Sequence, residues 1–410
     1  MTPLAAVVLI GLLATQAVEW VAEVLNLRSL RRDPPPGFED VYPPDRYARS
    51  QDYTRAKTKF GFVSSAVGLG VLVGFWFLGG FGTLDIWCRG WGFGPVTTGT
   101  LFLGTLFFLK QLLGIPFAGY ATFRLEAKFG FNRTTLKTFL LDRLKGNLLA
   151  VVIGGPLVAL LLWLFARLGS GAWLWAWGTV AAFSLFLQFI APTLIMPLFN
   201  KFTPLPEGEL RAAIFDLAKR LDYPLTNLFV IDGSRRSSKA NAFFTGFGKN
   251  KRIALFDTLV QKQTVPELTG VLAHEIGHHK KHHVWVGFAL GVLQSGGMFF
   301  LLSLSLGWEA LFAAFRVDLP SVHAGFALFG VLFAPVNLLL TLPLLAYSRR
   351  NEFEADRFAT EALGTGRDLA TGLKKLSADS LANLTPHPFY VWIHHTHPPL
   401  VERLAALHKL

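Results

Sequence analysis

Seven apolar runs, at 4–22, 60–82, 99–119, 147–166, 174–199, 284–306 and 324–347, limit what this chain can become. Each has about 18 residues or more, enough for a helix to cross a hydrocarbon layer of roughly 30 Å. In lipid every backbone polar group needs an internal partner, so runs of this length become helices. Composition agrees: 52% of the 410 residues are hydrophobic and 16% are charged, where a soluble protein usually carries about a quarter charged residues. The 38 Phe and 11 Trp suit lipid and its interfaces. Residues 4–22 lack the basic start and small-residue cleavage site of a secretory signal, so they are expected to stay as a first span. The chain is therefore expected to be mainly α, a polytopic membrane protein of seven helices with a small α+β portion in the polar remainder.

The loops predict which way the helices run. Arg28, Arg31, Arg32, Arg46, Arg49, Arg55, Lys57 and Lys59 fall between the first two runs, and Arg124, Lys128, Arg133, Lys137, Arg143 and Lys145 follow the third. The intervening short loops hold one arginine each: Arg89, Arg167 and Arg316. Positive residues stay on the cytoplasmic side, which puts the N-terminus outside and the C-terminus in the cytoplasm. The net charge of +12 is thus a topology signal, and nucleic acid is not expected as a partner; membrane lipid is. The lone cysteine, Cys88, excludes an internal disulfide and a thiolate metal site and reads as a small buried or interfacial residue.

This divides the chain into helices 1–5 with their loops (1–199), a polar segment (200–283), helices 6 and 7 (284–347) and a C-terminal portion (348–410). Within the first polar segment, 207–221 reads as an amphipathic helix. Leu228 to Ile231 and Arg252 to Leu255 read as short strands, with a third over Ala242–Phe247 turned by Gly248-Lys249-Asn250. Residues 264–283 read as a helix running on into the sixth span, and the prolines at 34–36 mark an irregular loop.

Residues 274–278 read His-Glu-Ile-Gly-His. On a helix, His274 and His278 project from one face, so both rings can reach one zinc ion, while Glu275 can approach the attacking water as general base. Gly277 costs helix stability, which points to close packing or ligand access there. His279, His282 and His283 read as residues around the site or in solvent. A zinc site of this kind needs a third protein ligand. Just after the last run, Glu352 and Asp356 share a helical face: Glu352 can complete a His₂Glu set, and Asp356 can take a hydrogen bond from a ligand imidazole. Glu354 points elsewhere. Near the end, His397, before Pro398-Pro399, can stabilise an oxyanion; taken alone it reads more readily as structural, and His394 and His395 more so.

Together these segments resemble the Ste24-type membrane metalloproteases, the type I CaaX prenyl endopeptidases. The resemblance runs through Gly130-Phe131-Asn132, the stretch Ile195 to Leu205, Ser238 to Phe244, the His-Glu-Ile-Gly-His motif, Asn351 to Asp356 and His397 to Arg403, nearly the whole chain in order. It implies helices around a water-filled chamber, one zinc ion on His274, His278 and Glu352, and Glu275 as base. It implies that Asn241, with Ala242 and Phe243, lies on an edge strand that pairs with the substrate, and that His397 and Arg403 line or brace the site. This chain has Phe243 where many members have Tyr. The expected substrate is a peptide or protein, prenylated or otherwise membrane-associated; the competing reading is an HtpX-like quality-control protease without prenyl specificity. A transporter with a structural metal would leave Glu275 without a purpose, and no internal repeat supports it. High Ala, Gly, Leu and Arg with low Lys favour a bacterial inner membrane over the endoplasmic reticulum.

Overall fold

The computed structural model describes residues 1–245 and 251–410. Seven helices are long and apolar enough to cross a membrane: Pro3–Arg28, Pro44–Phe77, Pro95–Glu126, Leu136–Arg167, Gly169–Leu198, His283–Ser305 and Val322–Leu363, called spans 1 to 7 below. Each overlaps its apolar run, although the second run passes the end of its span into a separate helix, Gly80–Arg89, and most spans are longer than their runs because helices continue into the polar water-facing sequence. Spans 1, 2 and 3 open with Pro at the first turn, where its missing N–H costs nothing. Thr2, Thr135 and Ser321 cap spans 1, 4 and 7 with their hydroxyls. Wide π-helical turns at Ala121–Glu126, Ala150–Gly154 and Ala191–Ile195 lie at or near Pro116, Pro156 and Pro192, which interrupt the regular ladder.

The spans do not close into a solid bundle. At most 22% of any apolar window is buried, and Lys110, Gln188 and Asn337 stand exposed within them. A lysine or amide facing lipid would be expensive, so these side chains mark an aqueous interior between the spans. The cysteine expectation holds in one respect: Cys88 is fully buried, in an apolar cluster with Trp76, Phe102 and Phe315.

The α+β portion is built on a four-stranded sheet, order β1-β2-β4-β3, of β1 Phe202–Pro204, β2 Leu225–Ile231, β3 Ala242–Thr245 and β4 Lys251–Phe256. β2 and β4 run parallel and the outer pairs antiparallel. The short β1 has no alternating pattern that would announce it, and the expected turn at Gly248-Lys249-Asn250 lies outside the described residues. Ile253 and Leu255 of β4 pack with Leu268, Leu272 and Ile276 of the motif helix Val265–Lys280, and with Leu369 and Leu404 from the C-terminal helices. The amphipathic helix Glu209–Arg220 covers the same core through Ile214 and Leu217.

One reading is corrected here. The motif helix does not run on into span 6: it starts on a Thr264–Glu267 capping box and stops at Lys280, and His282 in a left-handed conformation (φ 59°) turns the chain before span 6 begins at His283. The proline loop is irregular, as expected, and leads into the core. Phe38 and Tyr42 that follow it are buried in the core of the α+β portion, and the Tyr42 hydroxyl donates to Ser377 O (2.8 Å).

Candidate active site

Span 7 and the motif helix build the site together. Span 7 is one helix of 42 residues that carries the seventh apolar run at one end and Glu352 and Asp356 at the other. Gly277 lets the two elements meet, and Gly270 lets the motif helix approach the following helix Arg367–Asp379. A Cβ at 277 would come within 3.0 Å of Phe358 and 3.3 Å of the Ala355 backbone, and one at 270 within 2.8 Å of Leu369 N. The glycine in the middle of the motif is thus required by close approach.

This contact brings His274, His278 and Glu352 together. His274 Nε2 lies 3.2 Å from His278 Nε2 and 3.5 Å from Glu352 Oε2, and His278 Nε2 lies 3.3 Å from Glu352 Oε1. Donors bonded to one tetrahedral zinc at ~2.05 Å would stand about 3.3 Å apart. The donor set therefore fits zinc in type and in spacing, and it is the one such group among the described residues. Arg403 Nη1 sits 2.9 Å from Glu352 Oε2 but off the hydrogen-bonding direction, so that buried oxygen keeps a lone pair without a hydrogen bond.

A shell of polar side chains fixes the donors. Asp356 Oδ1 is 2.8 Å from His274 Nδ1, which leaves Nε2 turned to the cluster. Arg403 grips both oxygens of Asp356, at 2.8 and 2.6 Å. Burial pulls the His274 imidazole down, but the hydrogen bonds to Asp356 and Glu352 outweigh it and push the metal-free group up to about 9. Metal binding there has to displace a proton. On the other side, His278 Nδ1 lies 3.0 Å from His283 Nδ1, and His283 Nε2 lies 3.2 Å from Glu354 Oε2. Glu354, expected to point elsewhere, reaches the site through His283. No helical periodicity could show this, because the turn at His282 separates His283 from the motif helix.

The other expected residues divide. Glu275 is half-buried on the motif helix, beside Tyr223, whose hydroxyl is pushed up to about 12 by burial and by the Glu275 charge. His397 comes within 3.3 Å of Glu352 Oε1 with its side chain 64% exposed. His394 faces Glu19 of span 1 (3.1 Å), and His395 gives its carbonyl to Arg349 (2.8 Å), so neither joins the cluster. His279 packs against Tyr223. Asn241 is exposed just before β3, the outermost strand of the sheet, with its side-chain oxygen accepting from Ala242 N (2.8 Å). Phe243 packs edge-on against Phe256, with Ala242 and Phe244 of the same strand against the core.

The segment leading into β3 is stitched to the membrane helices. Lys239 Nζ donates to Glu126 (2.9 Å) and to the Tyr53 hydroxyl (2.8 Å) and lies 4.3 Å from the Phe131 ring centre. Arg236 makes a two-pronged pair with Asp142 at 2.8 and 2.9 Å. These residues come from spans 2, 3 and 4 and lie far apart in sequence, so only the folded chain reveals the clamp.

A buried two-histidine, one-glutamate cluster at the polar end of seven spans is the architecture of an integral membrane metalloprotease. Comparison with known proteins gives the same class. Residues 23–201 match the model "CAAX prenyl protease N-terminal, five membrane helices", and residues 204–410 match "Peptidase family M48". A CAAX prenyl protease 1 homolog from Arabidopsis thaliana is 38% identical, over 88% of this chain and 87% of its own length. CAAX prenyl protease 1 of Saccharomyces cerevisiae is 35% identical, over 91% and 88%. The crystal structure of S. mikatae Ste24p superposes with a TM-score of 0.92 at 33% identity, covering 99% of each chain. The chain belongs to peptidase family M48 and, within it, to the Ste24-type membrane metalloproteases.

Proposed function

We propose that this protein is a zinc endopeptidase that removes C-terminal residues from CaaX-type prenylated peptides or related membrane-associated peptides. The observation that carries the reading is the donor spacing of His274, His278 and Glu352, 3.2–3.5 Å. One zinc per chain, when bound, polarises the scissile carbonyl and acidifies the attacking water. Glu275 takes the proton from that water and returns it to the leaving nitrogen. His397, exposed beside Glu352, is the donor for the oxyanion. Asp356 and Arg403 hold the His274 ring in its ligating tautomer. Asn241, Ala242 and Phe243 offer main-chain groups on the sheet edge to an extended substrate strand.

The names of the curated relatives support the prenylated class over an HtpX-like protease, as does the match of 23–201 to the CAAX prenyl protease N-terminal helices. The loop arginines and lysines support an N-terminus outside and the site on the cytoplasmic face. The bacterial inner membrane rests on composition alone, since the relatives named above are eukaryotic. Purified protein given a farnesylated CaaX peptide and its unprenylated twin tests the reading. Cleavage after the modified cysteine, faster for the farnesylated peptide and lost in Glu275→Gln, is expected. Equal cleavage of both peptides would remove the prenyl specificity.

A further inference from the structure

At the end of span 7 remote from the metal cluster lies a second group of buried polar residues. Span 7 is a continuous helix, so His323 and Glu352 are separated by roughly 43 Å along its axis. His323 Nε2 is 2.5 Å from Asp85 Oδ1, and Asp85 Oδ2 accepts from Arg89 Nε (2.8 Å). Asp85 and His323 are 2% and 4% exposed. Arg89 is anchored from one side by this carboxylate, its Nη2 also makes a long contact to Leu319 O (3.4 Å), and its guanidinium lines a cavity of about 390 Å³. That volume lies in the range of small-ligand sites, about 300–1,000 Å³.

The cavity is amphipathic. Arg89, Thr98, Ser321 and His323 supply polar walls, and Phe93 and Leu162 apolar ones. Span 3 opens on it with Pro95 at its first turn and no side-chain cap, so the positive end of that helix adds to the guanidinium. The short helix Gly80–Arg89 and the turn after it expose Trp87, Trp91 and Phe93, each more than half exposed, next to the cavity. Tryptophans so placed at the ends of spans sit at the level of lipid headgroups. The buried Asp85 holds both a guanidinium and an imidazole in place where the proteolytic site has no use for them.

We propose that this cavity is a binding site for the phosphodiester headgroup of a membrane phospholipid, with Arg89 on the phosphate and the acyl chains leaving past Phe93 and Leu162. An anionic headgroup answers the arginine and the helix end, and the flanking tryptophans select a lipid over a soluble phosphate. The remaining Arg89 donors form the charge-assisted pair.

Full-length protein purified in mild detergent, stripped by extended washing, is assayed for retained phospholipid by mass spectrometry of the released lipid. Wild type is expected to retain it, and Arg89→Gln to retain about tenfold less, the loss of one charge-assisted contact. Val96→Trp, which fills the cavity and leaves Asp85, Arg89 and His323 intact, is expected to lose it equally, with peptide cleavage unchanged in both variants. Equal retention in all three proteins overturns the site. A second arm offers inorganic phosphate to lipid-stripped wild type. Binding as tight as that of a short-chain phospholipid, lost in Arg89→Gln, overturns the lipid and leaves a site for free phosphate.

Discussion

The two ends of span 7 carry the same three residue types in contact. At one end, Asp356 meets His274 (2.8 Å) and Arg403 (2.6 and 2.8 Å); at the other, Asp85 meets His323 (2.5 Å) and Arg89 (2.8 Å). What differs is which ring nitrogen the carboxylate takes. Asp356 engages His274 through Nδ1 and leaves Nε2 aimed at His278 and Glu352. Asp85 engages His323 through Nε2, which Ser321 also approaches (3.1 Å), and among the described residues no metal-holding group of histidines and carboxylates forms there. A buried Asp–His–Arg set is therefore a way of holding an imidazole, and its chemistry is decided by what the free nitrogen faces. The site at residue 274 can take a metal; at residue 323 the imidazole braces Asp85 and Arg89 instead.

That contrast can be broken by experiment, and the largest effect is expected where the reacting water is. Glu275→Gln should cut kcat by roughly 10²–10⁴-fold with metal content unchanged, the usual weight of a positioned acid–base; a variant that loses its metal instead would move Glu275 from base to structural support. Asp356→Asn should lower metal affinity by about 10–100-fold, read by competition with a chelator, because the His274 ring loses its orienting partner. If affinity does not change, the carboxylate at this end does no more than its counterpart. Lys239→Met should raise KM roughly tenfold with kcat and metal nearly unchanged, and Lys239→Arg should restore much of it, since the clamp acts on the strand proposed to receive substrate. A fall in kcat alone would place the clamp's effect on the chemistry. The smallest functional effect belongs to Asp85→Asn: metal content and turnover should stay as in wild type, while thermal unfolding shows a loss of about 1–3 kcal/mol from broken buried contacts. Any change in metal affinity there would mean the two ends of span 7 communicate.

Much of this molecule was legible before folding. Seven apolar runs, the arginine-rich loops and the His-Glu-Ile-Gly-His motif are local patterns, and local patterns report helix period, length and environment directly. Even the third donor could be reached, because Glu352 and Asp356 repeat the four-residue spacing of the two histidines on a second helix. The strands were legible in place but not in bounds: β1 is too short for an alternating pattern, and β2 begins at Leu225, three residues before its most apolar stretch.

The sequence by itself determined which segments enter the membrane, which helix carries the histidine pair and which carboxylates can join it, since each follows from hydrophobicity or from spacing along one helix. Tertiary structure alone decided the rest. It ended the motif helix at Lys280 and, by the turn at His282, brought His283 back to His278 and Glu354. It seated the proline loop's Tyr42 in the core of the α+β portion, gathered Tyr53, Glu126 and Lys239 into one clamp, and paired Asp85 with His323 across 238 residues. The reason is physical: a contact between residues distant in sequence leaves no period in the chain, and it exists only once burial has brought both partners out of water, where a polar group without its partner would cost more than the contact returns.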